Sequence, residues 1–141
     1  MPTSNLPIFP QTISDWSTIL VPANTTNTVV FVTGGANGTK VETVVATSNN
    51  VTDLALNLWV NNGGADTLLA SILVAANSGN NSNPAIPSVN VLGSNQLPGL
   101  ATDPNGNKYI YVASGTTLKV SSNVAVGAGK AVGVFGSGGI Y

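Results

Sequence analysis

The 141-residue chain has no arginine, no histidine and no cysteine, and charged residues make up 6% of it. Without cysteine there can be no disulfide and no thiolate metal site, so nothing marks an oxidising compartment. Without histidine the commonest general base and metal ligand is missing. What remains is four lysines (Lys40, Lys108, Lys119, Lys130) and five acids (Asp15, Glu42, Asp53, Asp66, Asp103). The chain is therefore expected not to be an enzyme and to need no cofactor or metal. The lysines are scattered and the net charge is −1, so nucleic acid is not an expected partner. No apolar run approaches the roughly 18 residues of a membrane span, although mean hydropathy is +0.28; no membrane partner is expected. The start, Met1-Pro2-Thr3-Ser4-Asn5-Leu6-Pro7, lacks the basic and apolar regions of a signal peptide, and synthesis in a cytoplasm is expected.

A folded surface ordinarily carries about a quarter or more charged residues, which keep copies apart. With 43% hydrophobic residues and almost no charge, this surface must consist of Asn, Thr, Ser and Gly, and neighbouring subunits are expected to cover part of it. The length suits one domain that buries roughly two-thirds of its unfolded surface.

Period-2 alternation dominates, and no stretch keeps a helical stripe over three turns. From Leu54 to Asn61, Leu54, Leu56, Leu58 and Val60 alternate with Ala55, Asn57, Trp59 and Asn61, leaving Trp59 off the main core face. From Lys40 to Thr47, Val41, Thr43 and Val45 alternate with Lys40, Glu42, Val44 and Ala46. Further strands are expected at Trp16–Val21, Thr28–Thr33, Thr67–Ala75, Ser88–Leu92, Tyr109–Ala113, Thr117–Ser121 and Lys130–Phe135. Asn37-Gly38, Asn62-Gly63 and Asn105-Gly106 supply turns. The expected fold is all-β: an antiparallel two-sheet β-sandwich over residues 16–141. Jelly-roll connections are among those that would satisfy the pattern, which does not choose between them. Residues 1–15, with Pro2, Pro7 and Pro10 among Leu6, Ile8, Phe9 and Ile13, are expected to form an extended arm that reaches a neighbour. The stretch Ala76 to Pro87 is long for a compact loop and is expected to be functional or mobile.

Motifs that could carry chemistry have simpler readings. Asp103-Pro104-Asn105-Gly106-Asn107 starts like a calcium loop, but glycine falls fourth rather than sixth and no glutamate closes it, so a turn is expected. Gly34-Gly35-Ala36-Asn37-Gly38 lacks the Lys-Ser/Thr of a phosphate loop and reads as a hairpin loop. The few aromatics say more. Tyr109 and Tyr111 share one strand face and, with Trp59, suit an interface, or a stacking platform for sugar rings in a carbohydrate-binding module or adhesin. Ile140 and Tyr141, after Gly136-Ser137-Gly138-Gly139, read either as a tethered peg for a neighbour or as a segment folded back on its own subunit. The candidate interface residues are thus Leu6, Ile8, Phe9, Ile13, Trp59, Tyr109, Tyr111, Ile140 and Tyr141.

The runs Thr116-Thr117-Leu118-Lys119-Val120, Ala125-Val126-Gly127-Ala128-Gly129-Lys130-Ala131-Val132 and the closing Phe135-Gly136 with Gly138-Gly139-Ile140-Tyr141 resemble the C-terminal part of small virion proteins of tailed bacteriophages. So does Gly35-Ala36-Asn37-Gly38-Thr39-Lys40-Val41-Glu42. The resemblance implies a β-sandwich head decoration or cement protein, often a homotrimer, that binds the assembled shell of the major capsid protein on the capsid surface after synthesis in the host cytoplasm. Placement on a tail, neck or baseplate is the other virion position it implies. No catalytic residues come with it.

Overall fold

The computed structural model describes residues 10–80 and 85–141; Leu6, Ile8 and Phe9 of the expected arm lie outside the described residues. Nine strands form among the described residues: β1 (Thr12–Leu20), β2 (Val29–Thr33), β3 (Thr39–Ser48), β4 (Leu54–Asn61), β5 (Thr67–Val74), β6 (Val89–Asn90), β7 (Ile110–Val112), β8 (Thr117–Ser122) and β9 (Val132–Ile140). No α-helix occurs among the described residues, only a 3-10 turn at Pro22–Asn24. A front sheet runs β1-β9-β3-β6, with β7 also on β3, and a back sheet runs β2-β8-β4-β5. Every pairing is antiparallel.

The expected antiparallel sandwich is present, and its connectivity can now be read. First pairs with last (β1 with β9), β2 with β8, β3 with β6 and β7, and β4 with β5, while β9 also pairs with β3 and β8 with β4. Such an order arises when a folded double ribbon rolls up, and it is that of a jelly roll. Alternation supplies the core: Leu54, Leu56 and Leu58 from β4 and Leu118 and Val120 from β8 meet Val41, Val44, Val132 and Val134 of the front sheet, all buried.

Three expectations about elements change. The arm was expected to reach residue 15, but Thr12 to Asp15 already belong to β1, pairing in register from Thr12↔Ile140 to Leu20↔Val132. The strand expected to end at Phe135 continues to Ile140, so the glycines read as a tether lie in an inner strand of the front sheet. Gly138 belongs there because the backbones approach closely, a Cβ on it running into the Lys40 carbonyl oxygen, whereas a Cβ on Gly139 would meet the Pro10 side chain. In β3 the expected alternation fails midway. A register shift between Val41 and Thr43 inserts a bulge that flips the parity, so Val41, Val44 and Ala46 are buried while Thr43 and Val45 turn outward.

The column opposite β3 is interrupted. β6 and β7 both pair with it, and between them residues 91–109 leave the sheet, burying Val91, Leu92 and Leu97. Lys108 fixes this excursion by donating to the carbonyl oxygens of Leu97 (3.0 Å) and Ser94 (3.3 Å). The Asp103–Asn107 segment is the expected turn: the Asp103 carboxylate accepts the backbone N–H groups of Asn105 and Asn107, both at 2.9 Å, and these bonds hold its pKa below the ordinary value. The ends of the long 76–87 stretch are pinned, Ser48 N–H to Ser78 O at 2.9 Å and Gly79 N–H to Ile86 O at 2.8 Å.

Asparagine does much of the work that charges do elsewhere. Asn50 is buried and its amide oxygen accepts Gly127 N–H at 3.0 Å, while Asn49 and Asn123 accept the N–H groups of Ala131 (2.7 Å) and Ala55 (2.8 Å). Among the described residues no buried side-chain nitrogen or oxygen lacks a partner. Order without charge is thereby reconciled with the cost of burying unpaired polar groups.

Candidate contact surface

The register of the front sheet fixes what its outer face presents. Along β1, Ile13, Asp15, Ser17 and Ile19 turn outward; beside them on β9 lie Gly139, Ser137, Phe135 and Gly133; next on β3 come Lys40, Thr43, Val45 and Thr47. The middle column is therefore nearly bare backbone with one phenyl. Ile13 is 91% exposed, Ile19 59%, Tyr111 54% and Phe135 46%; among the described residues Pro10 lies over Gly139 at one end of the face, where a Cβ on the glycine would come 2.5 Å from the proline side chain.

At one end of this face the chain brings three tyrosines together. Lys40 Nζ stands 4.5 Å from the centre of the Tyr109 ring, a cation–π contact, and pairs with Glu42 at 3.1 Å. The hydrogen bond that Lys40 donates to Glu42 raises the lysine pKa above its ordinary value. Tyr111 packs on Tyr141 with ring centres 6.3 Å apart and tilted by 48°, and its hydroxyl donates to Asn37 O at 2.9 Å. Tyr141 is fastened by its own N–H to Gly38 O at 3.1 Å. A shallow groove floored by Gly138 and Gly139 runs from Pro10 and Ile13 to Tyr141, with Lys40 and Glu42 on its wall.

Of the interface residues expected from sequence, Ile13, Tyr109, Tyr111 and Tyr141 thus converge. Ile140 adjoins them at half-burial; a Cβ on Gly35 would come 2.8 Å from its Cγ2, so it seats the loop before β3. The closing Ile140-Tyr141 is folded back on its own subunit rather than held out as a peg. Trp59 is not in the cluster. It sits on the outer face of the back sheet, half-buried, donating from Nε1 to Ser121 Oγ at 2.8 Å. The three-aromatic stacking platform of Trp59, Tyr109 and Tyr111 is therefore not assembled: alternation put Trp59 correctly on the outer side, but of the opposite sheet.

Sequence reasoning missed Ile19, Val45 and Phe135. The signal for Ile19 was available, since Ile13, Asp15, Ser17 and Ile19 alternate with Ser14, Trp16, Thr18 and Leu20, but a strand begun at Trp16 hides it. Phe135 became an outer residue only once β9 was seen to continue through glycine, and Val45 only once the bulge was known.

Glu42 and Asp103 line one cavity together with Lys108, but the acids do not gather further. Asp53 accepts Ala76 N–H at 2.8 Å, Asp103 closes its turn, Glu42 pairs with Lys40, and no group of three or more Asp or Glu gathers among the described residues. Asp66 joins the four strands of the back sheet: its carboxylate accepts Asn61 Nδ2 (2.7 Å), Lys119 Nζ (3.0 Å) and Thr28 Oγ1 (3.0 Å). These bonds, the one from Asn61 foremost, hold its pKa below the ordinary value. No known family, curated protein or solved structure matches the chain.

Proposed function

We propose that the chain is a non-enzymatic structural protein of a bacteriophage particle, of the head decoration type, that binds the assembled shell of the major capsid protein and braces it. The observation that supports this most is the outer face of the front sheet, apolar and bare at its centre, on a chain whose charges are nearly all used inside the subunit. Such a surface suits contact rather than chemistry. The jelly-roll order agrees with the reading but does not decide it, because the same architecture also serves lectins and cupins. The sequence resemblance supplies the virion. Many copies on one shell turn modest individual affinities into stability of the lattice.

Co-sedimentation with purified particles that lack this protein tests the proposal. Saturable binding at hundreds of copies per particle, read on a quantitative gel, is the expected result. Saturation at a dozen copies or fewer would move the chain to a tail, neck or baseplate, and no binding to any particle would overturn the virion reading. Glycan binding abolished by Tyr111→Ala would instead make it an adhesin.

A further inference from the structure

We propose that the open edge of β5 pairs with the same edge of a second copy, the two strands antiparallel about a two-fold axis at Ser71, so that the back sheets of both subunits run on as one. The contact leaves free the front face, which the reading above gives to the shell.

Among the described residues the other sheet edges are protected and this one is not. β6 and β7 are two and three residues long, and the excursion of residues 91–109 separates them. β2 has five residues and a register shift between Val30 and Val32. β1 carries Asp15 and lies alongside β2. Short strands, bulges and charges are the ordinary means of stopping an edge from recruiting another chain. β5 has eight residues, Thr-Leu-Leu-Ala-Ser-Ile-Leu-Val, with no charge, proline or glycine. Its irregularity lies towards its start, opposite Leu58 and Trp59, and only β4 pairs with it among the described residues.

Backbone direction is the second argument. Ala55 of β4 turns both its polar groups towards the β8 side: its N–H donates to Asn123 Oδ1 at 2.8 Å and its carbonyl accepts Asn123 N–H at 3.0 Å. Ala55 stands opposite Leu73, and Asn57 opposite Ser71. Successive residues of a strand turn these groups to alternate sides, so Leu56 bonds Ile72 while Ser71 and Leu73 aim theirs out of the sheet. Beyond them lies a cleft, lined by Ser71, Ile72 and Leu73 on one side and by Val89, Ser94, Asn95 and Gln96 of the front layer on the other.

What matches this edge is the edge itself. With Ser71 opposite Ser71 of the second copy, Leu73 falls opposite Leu69 and Ile72 opposite Ala70, each twice by symmetry. Residues facing each other across an antiparallel pair lie on one face. The exposed Leu69 and Leu73 therefore cover each other, and the buried Ala70 and Ile72 continue the inner face from one subunit to the next. The two Ser71 residues exchange both backbone hydrogen bonds. A charged strand would find no counter-charge on β5, whereas two uncharged copies meet without repulsion. One strand pair buries less than the roughly 1,000 Å² of a stable interface, so the association is weak and concentration-dependent.

The chain has no cysteine, so one introduced thiol reports the register. In Ser71→Cys the two α-carbons would stand about 5.5 Å apart, within the span that a disulfide bridges. Oxidised glutathione should link this variant into pairs at least tenfold faster than Val30→Cys, at the opposite edge of the same sheet. Sedimentation equilibrium of the unaltered full chain, from roughly 10 µM to 1 mM, should show a mass rising towards two copies of the 14.1 kDa chain. Leu73→Lys should weaken the association at least tenfold, while Val30→Lys, a comparably exposed change (64% against 50%), leaves it within twofold. Near-ultraviolet circular dichroism of each variant confirms that it is folded. A monomer at every concentration overturns the pairing, as does equal cross-linking of Ser71→Cys and Val30→Cys. A mass of three copies also overturns it, because a pair joined edge to edge about a two-fold closes at two. Particle binding by a strictly monomeric chain would sink this inference and leave the virion proposal standing. Two-copy association without particle binding would do the reverse.

Discussion

The centres of the two sheets solve the same problem in opposite ways. On the back sheet, the outer faces of β4 and β8 are stitched together: Trp59 to Ser121, Asn61 and Lys119 to Asp66, and Asp66 on to Thr28 before β2. Ser71 of β5 donates to Asn57 of β4. The exposed leucines of the back sheet, Leu68, Leu69 and Leu73, are confined to its edge strand. On the front sheet the inner strand β9 offers glycine, serine and a single phenyl, and it is held by backbone pairing on both sides rather than by side chains above it. The middle strands of the back sheet are finished with their own hydrogen bonds and its exposed apolar side chains, Val30 among them, stand at its edges, whereas the front sheet presents backbone and oil at its centre. A chain with so little charge can thus direct its contacts by distributing polar ties unevenly between two faces.

The largest expected effect tests whether glycine in β9 is a structural requirement. Gly138→Ala would drive a Cβ into the Lys40 carbonyl, and a loss of about 3 kcal/mol in urea unfolding is expected, the upper end of overpacking costs. Gly133→Ala, whose Cβ would meet only Thr47 Oγ1 at 3.1 Å, should stay within about 1 kcal/mol; equal losses at the two sites would show that close approach is not the reason. Next comes Trp59→Ala. It removes a half-buried ring and orphans Ser121, and about 2 kcal/mol of stability should go.

Acid separates the sheets through Asp66. Its folded pKa is depressed, so its contribution is present above the ordinary value of 3.8 and is lost as pH falls through the lowered one. Thermal midpoints followed downward from about pH 6 to about pH 2 should fall most steeply below that value, and less steeply in Asp66→Asn. Asp103, depressed by its own turn, keeps the variant from becoming flat. Identical profiles would mean that the back-sheet tie is idle. The smallest effect on stability is expected for Phe135→Ala, within about 1 kcal/mol, because the ring is half in solvent. A loss as large as that of Trp59→Ala would mean that Phe135 serves the subunit rather than a contact.

Much of the fold could be read in advance because alternation is a local property. Leu54 to Asn61 was legible to the residue, and the turn at Asp103–Asn107 followed from its own side chains. Errors arose wherever a distant strand decided the outcome. The bulge in β3 exists to meet β9, and no window of sequence around Val41 and Thr43 contains β9. Glycines that read as a tether became a strand because β1 and β3 close on them from both sides. At the surface, the tyrosines were found from their spacing, while Trp59 was placed on the right side of its strand and the wrong sheet, since spacing reports a face but not which layer owns it.

By itself the sequence determined that this protein is an all-β sandwich with almost no titratable chemistry and a surface of amides and hydroxyls. Composition and period suffice for that, because burial follows alternation and charge is simply counted. Only the tertiary structure decided the jelly-roll order and which face was left bare. Both depend on pairings between residues more than a hundred positions apart, such as Thr12 with Ile140, whose free energy is settled by backbone approach and not by local preference.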